Sequence, residues 1–262
     1  MVKRTEPGAE MPFLDHLEEL RWRLIYIIGT LFVGAGLGFF ATQHFQLITL
    51  LAHPVESVYG AKLVYTHPVD GINAYMMLSL TVGIILASPV ILYQLWAFVA
   101  PALFPKEKKV AVLVLAGGLV LFLAGVALSF FFVLPATMRL SQTLGGTALT
   151  PMITVGEYFS FITTLALTFG AAFELPLLVM ALAALGLVTP RFLRQYRRHA
   201  FVLCVVGAAL ITPGDAVSAT LGLMLPLYLL YELGILLSVR VYRWRERREA
   251  AADVASEAQE TA

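Results

Sequence analysis

The acidic residues with the clearest chemical potential stand in three different settings. Glu174 lies in the run AAFELP, residues 171–176, near the middle of a long apolar stretch. An exposed acid at that depth of a bilayer would cost several kcal/mol, so it must face protein, water or a cation. Pro176 adds to the local polarity, because its missing N–H frees the carbonyl of Ala172. A pathway or ligand role for Glu174 stands against a protonated, hydrogen-bonded structural one. Glu19 and Glu107 form a second set, both placed at a membrane–water edge among basic side chains. A carboxylate takes a guanidinium through two parallel hydrogen bonds, so two carboxylates suit a ligand bearing two arginines. Spacing alone favours ordinary pairing instead: Glu19 with Arg23 at i,i+4, and Glu107 with its neighbouring lysines.

The third setting is structural. Glu232 falls inside the last apolar run, about two turns from a basic tail. Asp215 follows Ile211-Thr212-Pro213-Gly214, a tight turn, and is placed to cap the next helix. His16, His44, His53, His67 and His199 show no ligand spacing, so no metal is expected. Ser88 lacks a base that would make it a nucleophile. A single cysteine, Cys204, excludes an internal disulfide. Neither an enzyme nor a cofactor is implied.

Membrane helices must position these groups. The chain has 262 residues, 59% hydrophobic and 13% charged, with a mean hydropathy of +0.83. Soluble domains carry roughly 25% charged residues, so this composition cannot wrap a water-facing surface around a core. The first apolar run follows a charged segment and has no small-residue cleavage pattern after it, so no cleavable signal peptide is expected.

Residues 1–10 are polar and expected to be loose. From Met11, the apolar residues Phe13, Leu14, Leu17, Leu20 and Leu24 share one helical face, with Pro12 in the first turn. This predicts an interfacial amphipathic helix running into a first span at 24–41. Residues 42–72 form a loop long enough for a small extramembrane element. A second span, 73–99, is expected to break near Ser88-Pro89, since proline crowds the preceding turn. It then surfaces through Tyr93, Gln94, Trp96 and Phe98, groups suited to a membrane–water boundary. After Pro101 and Pro105 comes the charged turn Lys106-Glu107-Lys108-Lys109.

A third span, 110–134, is expected to close at Pro135, and a Thr- and Gly-rich segment, 136–156, follows. The fourth span, 158–187, holds Glu174. The fifth, 200–211, offers roughly 18 Å of helix against a hydrocarbon core of about 30 Å. The sixth, 219–239, holds Pro226 and Glu232, and the tail, 241–262, is basic and then compositionally disordered. The membrane domain thus covers 11–240. Of the 18 Lys and Arg residues, only Lys62 and Arg139 fall on the side opposite the termini. The positive-inside rule makes the crowded side cytoplasmic.

Two further features bear on use. Gly34 and Gly38 form a GxxxG spacing that reads as close helix packing, not a phosphate cradle. A span too short for the bilayer thins it locally, and a bundle with one shallow wall and a midplane acid presents a groove to lipid. That suits lateral binding of another helix better than passage of a small solute.

The blocks Pro12–Leu24, Ser88–Lys109, Phe169–Pro176 and Thr212–Asp215 resemble the TatC family, the multispanning receptor subunit of the twin-arginine protein translocase. The resemblance spans roughly residues 11–240. It implies an all-α membrane protein whose six spans form a concave, glove-like bundle behind the interfacial helix. It also implies a receptor in the bacterial inner membrane for folded precursors with twin-arginine signal peptides, driven by the proton-motive force. Glu19, Leu20 and Arg21 match the family's N-terminal motif, and Phe98 and Glu107 match its signal-recognition loop. Glu174 matches the family's intramembrane acid, and Pro54 and Asp215 match functional positions on the external side. Gln94 lies in the second matching block and is counted with them. The implied partners are the single-span TatA and TatB-like subunits, besides the signal peptides, lipid and further copies of the chain. One departure is visible: Ser218 is followed by Ala219 where the family often has Gln. The competing expectation is a proton-coupled secondary transporter with Glu174 as its proton site. Such folds pair interrupted helices between halves, whereas here the expected breaks fall in the second and fourth spans.

Overall fold

The computed structural model describes residues 13–103, 108–145, 151–211, 220 and 224–243. The N-terminal segment expected to be loose, Pro12, the loop acid Glu107, the turn with Asp215, and the tail beyond residue 243 lie outside the described residues. The described chain is a helical bundle. Helix α1 (Phe13–His44) runs unbroken, joining the interfacial segment and the first span. Helix α2 (Leu47–Tyr59) is the extramembrane element of the first loop. Helix α3 (Asp70–Leu103) follows, then α4 (Lys108–Leu128), a π turn (Ser129–Val133) and α5 (Leu134–Gly145). Helices α6 (Val155–Phe173) and α7 (Leu175–Ala184) make up the fourth span. The short α8 (Pro190–Gln195), α9 (Arg197–Ile211) and α10 (Met224–Arg243) complete the chain.

Five stretches among the described residues are long and apolar enough to cross a membrane: 17–44, 70–98, 114–143, 155–184 and 224–243. The expected fifth span is α9. Its 15 residues give about 22 Å of helix, short of the roughly 30 Å of a hydrocarbon core.

Two prolines behave differently from the sequence expectation. Helix α3 does not break at Ser88-Pro89 but continues to Leu103. Pro89 cannot bond the carbonyl of Ile85, and the Ser88 hydroxyl donates to that same oxygen at 2.7 Å. A side chain thus replaces the missing backbone donor, as hydrophobic surroundings require. Ser88→Ala leaves that buried carbonyl unbonded. It is expected to lower stability by about 1–3 kcal/mol, read as an earlier thermal unfolding transition of the detergent-solubilised protein.

Pro135 does not close the third span either. The helix widens into the π turn, where the Leu134 N–H bonds Ser129 C=O. Pro135 then falls in the first turn of α5, where a missing N–H costs least. The Ser129 hydroxyl donates to Val126 C=O at 2.7 Å and Thr137 to Val133 C=O at 2.9 Å.

Helix α1 packs along α3 more extensively than any other pair of elements. Gly34 and Gly38 face Gly83 so closely that a Cβ on Gly83 would stand 2.5 Å from Gly34 O, and one on Gly38 2.5 Å from Gly83 N. The GxxxG spacing is therefore a backbone-to-backbone seam, the close approach small residues permit in membranes.

The largest core gathers at the α2 end of the bundle: Val55, Leu78, Leu134, Phe159, Leu165 and Phe169 are all nearly inaccessible. Hydroxyls and backbone strap α2 onto it. Tyr158 donates to Leu51 C=O at 2.7 Å, and Tyr59 to Met138 C=O at 2.8 Å. The segments before α3 and α6 pair through Val64 N to Ile153 O and Val155 N to Val64 O, both 3.0 Å. Asp70, the first residue of α3, accepts from the Thr66 and His67 amides at 2.8 Å and so ties the preceding turn to the helix start.

Candidate functional site

The sequence-predicted residues fall into separate places. At the α1 start, Glu19 and Arg23 lie one turn apart on the side that meets α3, both partly buried. Arg23 Nε donates to Glu19 Oε1 at 3.0 Å, and Arg23 Nη2 bonds the same oxygen. The pairing that spacing favoured is thus present. It does not end there: Arg23 Nη2 also donates to Ala97 C=O at 3.0 Å, and Nη1 to Gln94 Oε1 at 3.3 Å. One guanidinium therefore joins Glu19 to the C-terminal part of α3, directly beside Phe98. Phe98 is partly buried, while Leu20 and Arg21 are exposed.

The reach of Arg23 across to α3 was not anticipated from the sequence. The i,i+4 spacing gave its bond to Glu19, but positions 94 and 97 become neighbours only once α1 lies along α3. Gln94 gains a stated function here: it is an acceptor for Arg23.

Glu174 occupies the one-residue interruption between α6 and α7. The helix break expected at Glu174–Pro176 is present, with Pro176 in the first turn of α7. Glu174 N bonds Ala171 O at 3.1 Å, and Leu178 N bonds Glu174 O at 2.9 Å. The carboxyl group packs on α4: a Cβ added to Gly118 would lie 3.2 Å from Glu174 Oε2. Gly118 is thus the residue that gives this acid its room. Glu174 Oε1 is inaccessible and has no hydrogen-bond partner among the described residues.

Glu232 offers a contrast inside a neighbouring span. Arg197, at the start of α9, bonds Glu232 Oε2 at 2.7 Å, and Tyr228 donates to Glu232 Oε1 at 3.1 Å. Tyr231 donates to Leu193 C=O at 2.7 Å. Glu232 Oε2 thus ties α9 to α10 through Arg197, its Oε1 is held by Tyr228 one turn away on α10, and Tyr231 fastens α8 to α10. Of Glu174 and Glu232, only Glu174 keeps an unbonded buried oxygen among the described residues.

Pro54 lies within α2, beside the buried Val55, and its carbonyl accepts from the Ser57 hydroxyl at 2.9 Å. A half-open, apolar cavity of about 180 Å³ lies between α2, α3, the π turn and α6, with Leu47, Thr81, Ser129 and Ile162 in its wall. Its hydroxyls are already bonded: Thr81 to Met77 C=O at 2.8 Å and to Thr163 at 3.1 Å, and Ser129 to Val126 C=O.

These features coincide with one known family. The profile described as "Sec-independent protein translocase protein (TatC)" matches residues 15–226. A Sec-independent protein translocase protein TatC of Aquifex aeolicus is 36% identical over 244 residues, covering 92% of this chain and all of the relative. The TatCd protein of Bacillus subtilis is 37% identical, covering 93% of this chain and 98% of the relative. Two crystal structures of the twin-arginine translocase receptor TatC superpose with TM-scores of 0.76 and 0.77. They are 36% and 38% identical, cover 86% and 85% of this chain, and are themselves 99% covered. With matched sequence and matched fold, the chain belongs to the TatC family of Sec-independent protein translocase proteins.

Proposed function

We propose that this chain is the signal-peptide receptor and scaffold of a twin-arginine translocase in a bacterial inner membrane. Its basic edge, with both termini, faces the cytoplasm, as the distribution of Lys and Arg supports. Glu19 and Glu107 accept the paired arginines of a precursor there, with Leu20, Arg21 and Phe98 around them. The observation that carries this reading is the Arg23 bridge, which fixes the Glu19 carboxylate against the end of α3, the helix whose continuation leads to Glu107. The apolar part of the signal then lies along the bundle toward Glu174. TatA and TatB-like helices pack beside it, and the proton-motive force drives the crossing of folded cargo. Pro54 and Asp215 serve on the external side. Six spans enclose too little space for a folded protein, so the pore belongs to the assembly and not to this chain.

The test is equilibrium binding of the purified protein to an Arg-Arg signal peptide and to its Lys-Lys twin. Lysine keeps the charge but loses the fork. Wild type should prefer Arg-Arg, and Glu19→Gln or Glu107→Ala should each weaken that peptide by roughly tenfold to a hundredfold, the worth of a charge-assisted bond. Equal binding of both peptides, unchanged in the variants, would reject the receptor site. Proton flux driven by a small solute and lost in Glu174→Gln would instead support the transporter reading. That reading gains nothing from α3, which lacks the expected break.

A further inference from the structure

Arg23 ties the Glu19 carboxylate to a second helix. Its bonds run to three acceptors: Glu19 Oε1, Ala97 C=O and Gln94 Oε1. Two of these belong to α3, so Arg23 keeps its place whatever Glu19 does. Its side chain is only 20% exposed and that of Glu19 26%, so the pair is shielded from the solvent that weakens surface ion pairs.

We infer that Arg23 is a positioning residue for ligand selection: by holding one oxygen of Glu19 in a fixed plane, it lets that carboxylate distinguish a guanidinium from an ammonium. This rests on the reading of Glu19 as part of the peptide site. An unanchored glutamate at a helix start samples several rotamers and has to be ordered when ligand binds. An ammonium tolerates that, since it bonds from any direction. A guanidinium does not, because its parallel bonds need the carboxylate plane already set. Gln94 steadies Arg23 in turn, from the far side.

A planar fork is required for this, which makes Arg23→Lys the informative change. Lysine keeps the charge but cannot span three acceptors on two helices. In the same Arg-Arg and Lys-Lys binding assay, Arg23→Lys should lose roughly tenfold of the preference for Arg-Arg, mainly by weaker Arg-Arg binding. Gln94→Leu, which removes only the outer acceptor, should lose about threefold. In a Glu19→Gln background neither change should alter the preference further, a coupling that a merely structural arginine would not show. Melting curves and the Gln94→Leu arm keep the test decisive where Arg23→Lys folds poorly. A wild-type preference retained in well-folded Arg23→Lys would overturn the inference while leaving the receptor site standing. So would tighter Arg-Arg binding in that variant, which would make Arg23 a rival for Glu19. No preference in the wild type would reject the site itself.

Discussion

Alanine at Gly38 is expected to pry apart the pair of helices on which the rest of the bundle is laid. The new methyl would stand 2.5 Å from Gly83 N and would also meet the Ser79 carbonyl and the Gly83 Cα. These are backbone atoms in the middle of α3, and no rotamer change relieves the clash. Overpacking of a well-packed core costs about 1–3 kcal/mol, and a backbone obstacle puts this change at or above the upper end of that range. The expected readout is a markedly lower thermal midpoint in detergent, together with faster proteolysis. Gly36→Ala on the same helix serves as the control, because a Cβ there meets nothing within 4 Å. An unchanged midpoint for Gly38→Ala would mean that α1 and α3 are not held in this register.

Glu174→Leu should act in the opposite direction on stability and abolish function. Glu174 Oε1 is buried without a partner among the described residues, and an acid in that position costs roughly 2.5–3.5 kcal/mol on membrane-insertion scales. Leucine removes that cost and fills the room that Gly118 leaves. Stability is therefore expected to rise by about 1–3 kcal/mol, while export of a folded reporter with a twin-arginine signal falls by at least about tenfold. Such a trade marks a residue kept for use. Lower stability in Glu174→Leu would show instead that the acid is a structural hydrogen-bonding group.

Hydropathy made the long helices legible, and the shortness of the fifth span was readable from its apolar count. Prolines were legible only where nothing compensates them. At Pro176 the helix does break, and the acid at the break was found from its depth alone. At Pro89 a hydroxyl one residue earlier restores the lost bond, and at Pro135 a π turn admits the ring. Both repairs are side-chain or backbone choices that a period in the sequence does not display. The i,i+4 spacing of Glu19 and Arg23 was visible, but the bridge to Gln94 and Ala97 was not, since those residues lie more than seventy positions away. Gly118 carried no signal of its own; its importance appears only with Glu174 laid against it. Glu107 and Asp215 lie outside the described residues and keep the standing that their sequence context gives them.

The α1–α3 seam also bears on how such a chain is made. Its two halves are consecutive long apolar segments, separated only by α2 and a short connection, and they meet backbone to backbone through glycines. Contacts between neighbouring segments form early and need little chain to be ordered first. A nascent chain released only as far as α3 would thus already own a closed helical hairpin, with Arg23 latched to Gln94 and Ala97. The later helices then dock onto a finished edge: Glu174 finds shelter against α4, and Arg197 with Glu232 fastens α9 to α10.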